Sequence, residues 1–502
     1  MASITKRFLR GTSLLECLVS SVTLWVSVFA FLLSSRTEAK QDLYIGGFFP
    51  LDNVNWDAAG LIPAAEMAIA DVNKRTDLLA DYELQMEWNN TKCDAGVGMA
   101  SLFDQITAST RKVMLLGAGC TLVTGPMAET AQYWNLVQVS HSSSSPSLNN
   151  RGKYPLLFRL YPSEESMNYP RLALMKQFGW KKAALLHSSE GGFSMVIQHM
   201  RDLLIQNSMV PMLSESFTGD PTSALENIKV KEARIIIANM FESTARGVFC
   251  KARGLGMTGP GYIWIIPGWF SDEWYLEDDT TCSPTEMTEA VSGYISMETQ
   301  AVDASAKVTN SGRTPAGFLA DYQTAVASTS YTAHDLAPFA YDSVYTIALA
   351  LNASINPLGQ IGARLEDFEY TRSDIAHVFF TAVNNSNFAG ITGPIRFDIN
   401  GKRLGYTKIE QLQDGVEVPI ATFDDSLLSF VKLNESAFIW STENGEPPPD
   451  GPLMVEEWRT VSLPLVITMT VLAVAGVLFV IFLLVINIMY RDRRIMKLSA
   501  QT

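Results

Sequence analysis

The chain has 502 residues, 47% of them hydrophobic and 18% charged, which is too long and too apolar to stay disordered and enough for two or three packed units. A formal net charge of -14 leaves no basic stripe of the kind that neutralises phosphates, and so argues against a nucleic-acid partner.

In chain order, residues 1–40 read as a secretory signal. Lys6, Arg7 and Arg10 precede an apolar run from Cys17 to Leu33 that closes on Ser34 and Ser35, the charged-then-apolar order of such signals. A retained signal anchor is the alternative, because the run is long and no small-x-small cleavage site follows it.

Leu43 to Phe49 then reads as a buried strand. Leu61, Ala65, Ala68 and Val72 recur at helical spacing, with Pro63 suited to a first helical turn. Lys112 to Leu116, Leu136 to Ser140, Lys182 to Leu186 and Arg234 to Met240 are further short apolar strands, separated by amphipathic stretches. This alternation predicts an α/β fold of parallel sheets covered by helices on both faces. Residues 41–445 are too many for one such sheet, so two doubly wound lobes with a cleft between them are expected. The first lobe would comprise about 41–160 and 297–385, the second about 161–296 and 386–445. Ligands of open α/β sheets bind at the carboxyl ends of strands.

Outside the signal there are four cysteines, Cys93, Cys120, Cys250 and Cys282, for which sequence permits three pairings. Cys93 with Cys120 and Cys250 with Cys282 is favoured, because these pairs close short loops and give each lobe its own staple. Asn89, Asn352, Asn384 and Asn434 each open a glycosylation sequon.

Residues 446–464, with Pro447 to Pro449, read as a linker. Leu465 to Tyr490 carries no charge and is long enough to cross the ~30 Å hydrocarbon layer as a helix. Arg491, Arg493, Arg494 and Lys497 follow it, against Glu456, Glu457 and Arg459 before it. The positive-inside bias therefore expects a single-pass plasma-membrane protein with its N-terminus extracellular and 491–502 as a cytoplasmic tail.

Catalytic constellations are mostly absent from the sequence, and no enzyme activity, metal or cofactor is expected. There is no His-Glu-x-x-His and no Gly-x-Ser-x-Gly, and the five histidines lack metal-ligand spacing. Gly254-Leu-Gly256-Met-Thr-Gly259 matches the dinucleotide pattern but follows a helix and precedes a strand, the reverse of the required order. It reads as a turn. Binding chemistry remains. The run Ser142 to Ser145 places hydroxyls and N–H groups where a parallel strand meets a loop, a spot suited to a carboxylate, although a plain polar turn gives the same pattern. Trp56 and Trp269 sit just beyond predicted strands, as core or as a wall for a small ligand.

These residues carry a resemblance. Trp134-Asn135-Leu136-Val137 through Ser142-Ser143-Ser144-Ser145-Pro146 to Phe158-Arg159, Ile235 to Cys250, Ile265-Ile266-Pro267-Gly268-Trp269, Pro338-Phe339-Ala340-Tyr341-Asp342 and Ser462-Leu463-Pro464-Leu465 resemble the metabotropic GABA (type B) receptor family from about Leu43 to the end of the chain. The resemblance implies a two-lobed, periplasmic-binding-protein-like (Venus flytrap) clamp in a G-protein-coupled receptor that pairs as a heterodimer of an agonist-binding subunit and a coupling partner. Family members continue into seven transmembrane helices, whereas this chain stops at Thr502, soon after the first. It therefore reads as a truncated receptor or an incomplete gene model.

By resemblance, Trp56, Ser144 and Trp269 match aromatic and hydroxyl contacts to the agonist, and Thr121 replaces a serine. Tyr161 stands in place of a histidine, Phe241 of a tyrosine, and Leu336 of the glutamate that pairs with the ligand's amine. A buried ammonium without its counter-charge costs several kcal/mol, and the adjacent Asp335 points another way in regular structure. The resemblance thus implies either a sensor of a small amino acid such as GABA or the partner of the subunit that senses it. Alternatives are a decoy or modulatory subunit without signalling of its own, and a single-pass peptide receptor of the guanylate cyclase type, for which 491–502 leave no room.

Overall fold

The computed structural model describes residues 40–52, 57–190, 192–451 and 462–499. Trp56 and the signal region lie outside the described residues. The chain divides into two units, one ending at Gly451 and one beginning at Pro452.

Among the described residues the first unit holds two large sheets and one two-stranded hairpin. In the first, β1 (Gln41–Phe49), β2 (Tyr82–Asn90), β3 (Lys112–Leu116), β4 (Gln138–Ser140) and β5 (Leu157–Arg159) run parallel in the order β2-β1-β3-β4-β5. Helices α1 (Leu61–Lys74), α2 (Ala95–Thr107) and α3 (Thr121–Ala131) connect them. α1 turns Leu61, Ala65, Ala68 and Val72 inward, as their spacing predicts. α2 starts where the Asp94 carboxylate accepts the Val97 N–H at 2.9 Å, filling one of the orphan donors of a helix start. Cys120 precedes α3 and is bonded to Cys93.

The chain then builds α4 (Asn168–Gln177), β6 (Lys182–Ser188), α5 (Phe193–Gln206), β7 (Val210–Phe217), α6 (Thr222–Val230), β8 (Ile235–Asn239), α7 (Glu242–Gly254), β9 (Ile263–Pro267), α8 (Pro284–Val291) and β10 (Ile295–Thr299). Strands β7-β6-β8-β9-β10 are parallel neighbours. Ile236, Ala238, Trp264 and Ile266 enter one core, while Ile235, Ile237, Ile263 and Ile265 enter another. Such continuous apolar runs are required when successive side chains point to opposite faces and both faces are covered. Gly254 ends α7 and the segment up to β9 is a turn, so the glycine pattern there is no nucleotide loop. Cys250 on α7 is bonded to Cys282.

Three helices return to the first core: α9 (Pro315–Ala327), α10 (Ala337–Gln360) and α11 (Ser373–Asn384). The hairpin β11 (Phe388–Gly390) and β12 (Gly393–Ile395) follows, with Ile391 and Ile395 in that same core. Asp342 of α10 holds the hairpin turn by accepting the Ile391 and Thr392 N–H groups at 2.9 and 2.8 Å. The lobe boundaries therefore differ from expectation: β10 belongs with the second sheet, and the return to that sheet falls after residue 395 rather than near 386.

β13 (Tyr406–Gln413) pairs antiparallel with β10, and β14 (Val416–Asp424) and β15 (Ser429–Leu433) extend the second sheet beyond it, each antiparallel to its neighbour. The sheet is mixed as a result, where the strand-helix alternation predicts parallel strands. Asp414 and Gly415 both have positive φ between β13 and β14, the two-residue turn favoured by an Asp-Gly pair. The expected linker is also shorter. Trp180 Nε1 donates to Pro448 O at 2.8 Å, and the Lys182 N–H donates to Asp450 at 2.9 Å, so 446–451 are fastened to the second lobe.

The second unit contains α12 (Leu463–Ser499). Its Leu463–Arg491 portion is long and apolar enough to cross a membrane.

Candidate functional site

The crossover strands bind one another where the chain passes between lobes. Arg403 N–H donates to Arg159 O at 3.1 Å, and Gln300 N–H to Tyr406 O at 2.8 Å. The buried Arg403 guanidinium donates to Thr392 Oγ1 at 2.6 Å and Thr392 O at 2.8 Å and lies 5.6 Å from the Phe339 ring. The other ring neighbour of Phe339 is Tyr161, at 5.1 Å between centroids.

On the first lobe the candidates follow neighbouring strands. Thr121 opens α3 after β3, Ser144 follows β4, and Tyr161 follows β5. The serine run is not an open cradle. Ser143 Oγ donates to Gly119 O at 2.8 Å and meets Thr124 Oγ1 at 2.7 Å, and Ser142 Oγ lies 2.8 Å from His141 Nδ1. Ser144 Oγ donates to Glu164 Oε1 at 2.8 Å. Arg159, fully buried, braces the loop by donating to Ser145 O at 2.9 Å and Ser143 O at 3.4 Å. Burial pushes the His141 imidazole down to about 4 and raises the Tyr161 phenol, so both are neutral near pH 7.

On the second lobe Phe241 follows β8, Trp269 follows β9, and Phe193 opens α5 after β6. The Phe241 ring lies 5.0 Å from Phe193 and 5.9 Å from Trp269, and Phe193 stacks on Trp269 at 6.5 Å. Phe241 is 42% exposed and Trp269 37%, whereas Phe193 is buried, so two of the three rings present open faces and the third is core. Phe193 was not among the sequence candidates; the glycines just before it, at the end of a strand, were the available signal.

Leu336 packs as a partly buried residue against the first core and immediately precedes α10, while Asp335 is exposed. Glu164 was missed altogether. Among the sequons, Asn434 is exposed, whereas Asn89, Asn352 and Asn384 are half-buried. The Asn89 and Asn352 side-chain oxygens accept from Gln105 Nε2 at 2.7 Å and Leu79 N at 3.0 Å.

The candidates thus line the carboxyl ends of adjacent parallel strands, β3-β4-β5 in one sheet and β6-β8-β9 in the other, which is where open α/β sheets bind ligands. A family profile described as "Receptor family ligand binding region" matches residues 61–415. The chain belongs to this receptor family. It is 33% identical to the gamma-aminobutyric acid type B receptor subunit 1 of Mus musculus over 455 residues, 89% of this chain and 47% of that protein. The Caenorhabditis elegans subunit 1 is 33% identical over 468 residues, 90% of this chain and 51% of its own. The Homo sapiens subunit 2 is 30% identical over 451 residues, 88% and 47%. The chain spans about half the length of the curated relatives it matches. As a member of this receptor family it has a two-lobed α/β clamp followed by one apolar helix.

Proposed function

We propose that this chain is a cell-surface receptor subunit of the GABA type B kind, non-enzymatic, with residues 41–451 outside the cell, α12 in the membrane and the residues beyond Arg491 in the cytoplasm. The similarity to both subunit 1 and subunit 2 over 88–90% of the chain carries this reading. Phe241, Trp269, Tyr161, Thr121, Ser144 and, outside the described residues, Trp56 are the proposed cleft residues. A ligand bridging the two edges favours the closed clamp and shifts its population. A second receptor subunit is the proposed partner, with glycans on the outer face at Asn434 and at Asn89, Asn352 and Asn384 where access allows.

The test uses the full chain with a tag after residue 40 and another at the C-terminus. The first tag should react with antibody on intact cells and the second only after permeabilisation. The chain should also co-precipitate with a GABA type B receptor subunit and not with an unrelated single-pass protein. Inverted labelling or a failure to co-precipitate would contradict the reading.

A further inference from the structure

We propose that Glu164 receives the ammonium group of the ligand, so that the cleft takes a small primary amine with an apolar or aromatic body in preference to an amino acid. The inference rests on reading this cleft as a ligand site and goes further by fixing the charge of what enters it.

Glu164 opens the turn Glu164–Met167 just past the crossover from β5. Its N–H donates to Ser144 O at 2.9 Å and its Oε1 accepts from Ser144 Oγ at 2.8 Å. Two bonds to one residue aim the carboxylate before any ligand arrives, which lowers the ordering cost of binding. The same turn packs against α5, the helix begun by Phe193, and against β10. The turn that Glu164 opens therefore joins the end of the first-lobe edge to the second lobe.

The neighbouring carboxylates are already paired: Glu165 lies 3.6 Å from Lys402 Nζ, and Glu298 lies 2.5 Å from Lys408 Nζ. Glu164 forms no ion pair among the described residues. Arg159 and Arg171 favour its charge through space, but their guanidinium groups bond elsewhere, to Ser145 O at 2.9 Å and to Asn168 Oδ1 at 3.0 Å. Burial holds the Glu164 carboxyl above its ordinary range, so a docked cation would relieve a cost the fold now carries.

The same arrangement turns a carboxylate away. An anion brought to Ser144 Oγ must compete with Glu164 Oε1 for one hydroxyl and sit against a like charge, which costs far more in a cleft than in water. Phe241 and Trp269 add ring faces that attract a cation or its apolar body.

Purified full-length chain in detergent is titrated with 2-phenylethylamine, GABA and 3-phenylpropionate, the last keeping the ring and carrying only a carboxylate. The amine should bind at least roughly tenfold tighter than GABA, and 3-phenylpropionate should not saturate. Glu164→Gln keeps an acceptor for Ser144 and should lower amine affinity at least roughly tenfold with a melting temperature no lower than the parent's. The proposal is overturned by 3-phenylpropionate binding as tightly as the amine, by amine affinity that ignores Glu164→Gln, or by no probe binding. Co-precipitation with a GABA type B receptor subunit is scored separately, so the receptor reading stands or falls on its own result.

Discussion

On the first lobe the Ser143 hydroxyl is spent on Gly119 O and the Ser144 hydroxyl on Glu164, whereas on the second lobe Phe241 and Trp269 remain 42% and 37% exposed beside Phe193. Both edges lie at the carboxyl ends of parallel strands, yet one satisfies its own polar groups and the other leaves apolar faces open. Residue type at a strand end therefore does not tell whether a side chain is available to a ligand. A serine is free only if nothing brought beside it by the fold accepts its proton.

The contrast predicts that substitutions on the first edge cost stability and those on the second cost binding. The largest effect should come from Arg159→Ala. It strips donors from the Ser143 and Ser145 carbonyls, and at roughly 1–3 kcal/mol for each buried group left unmade the loss should reach about 3 kcal/mol, read as a lower urea midpoint. Trp269→Ala should cost about 1 kcal/mol or less in the same melt, the worth of an aromatic pair or so, while lowering 2-phenylethylamine affinity roughly tenfold. Equal destabilisation by the two changes would break the contrast.

Ser144→Ala should lower stability by only about 1 kcal/mol, and its pH dependence sharpens the comparison. Burial raises the Glu164 carboxyl and the Ser144 hydrogen bond lowers it. An acid raised in the fold ionises first in the unfolded chain, so stability is lost as pH climbs past the ordinary carboxylate range. Without Ser144 that loss grows. The gap between Ser144→Ala and the parent should widen from about pH 5 to about pH 8; a constant gap would mean that Ser144 does not act on the charged form.

The sheets were legible because their strands are apolar runs buried on both faces: the predicted limits of β3 coincide with those observed, and those of β8 differ by one residue at each end. Strands β13 to β15 were not, since several of their residues are half-buried or exposed and interrupt the apolar run, although Asp414-Gly415 was a usable hairpin signal. Residues 446–451 looked like linker because proline-rich composition cannot reveal that Trp180 donates to Pro448. Glu164 was illegible for a related reason. Its bond to Ser144 spans 20 positions and exists only because β4 and β5 pair side by side.

Glu164 occupies the hydroxyl that a GABA carboxylate would need, and calorimetric titration of GABA into the chain tests this most directly. The parent and Leu336→Glu should both bind weakly, because restoring a counter-charge for the amine leaves the carboxylate opposed by Glu164. The double change Glu164→Ala with Leu336→Glu should bind at least roughly tenfold tighter than either. Submicromolar GABA binding by the parent, or Leu336→Glu alone matching the double variant, would contradict it.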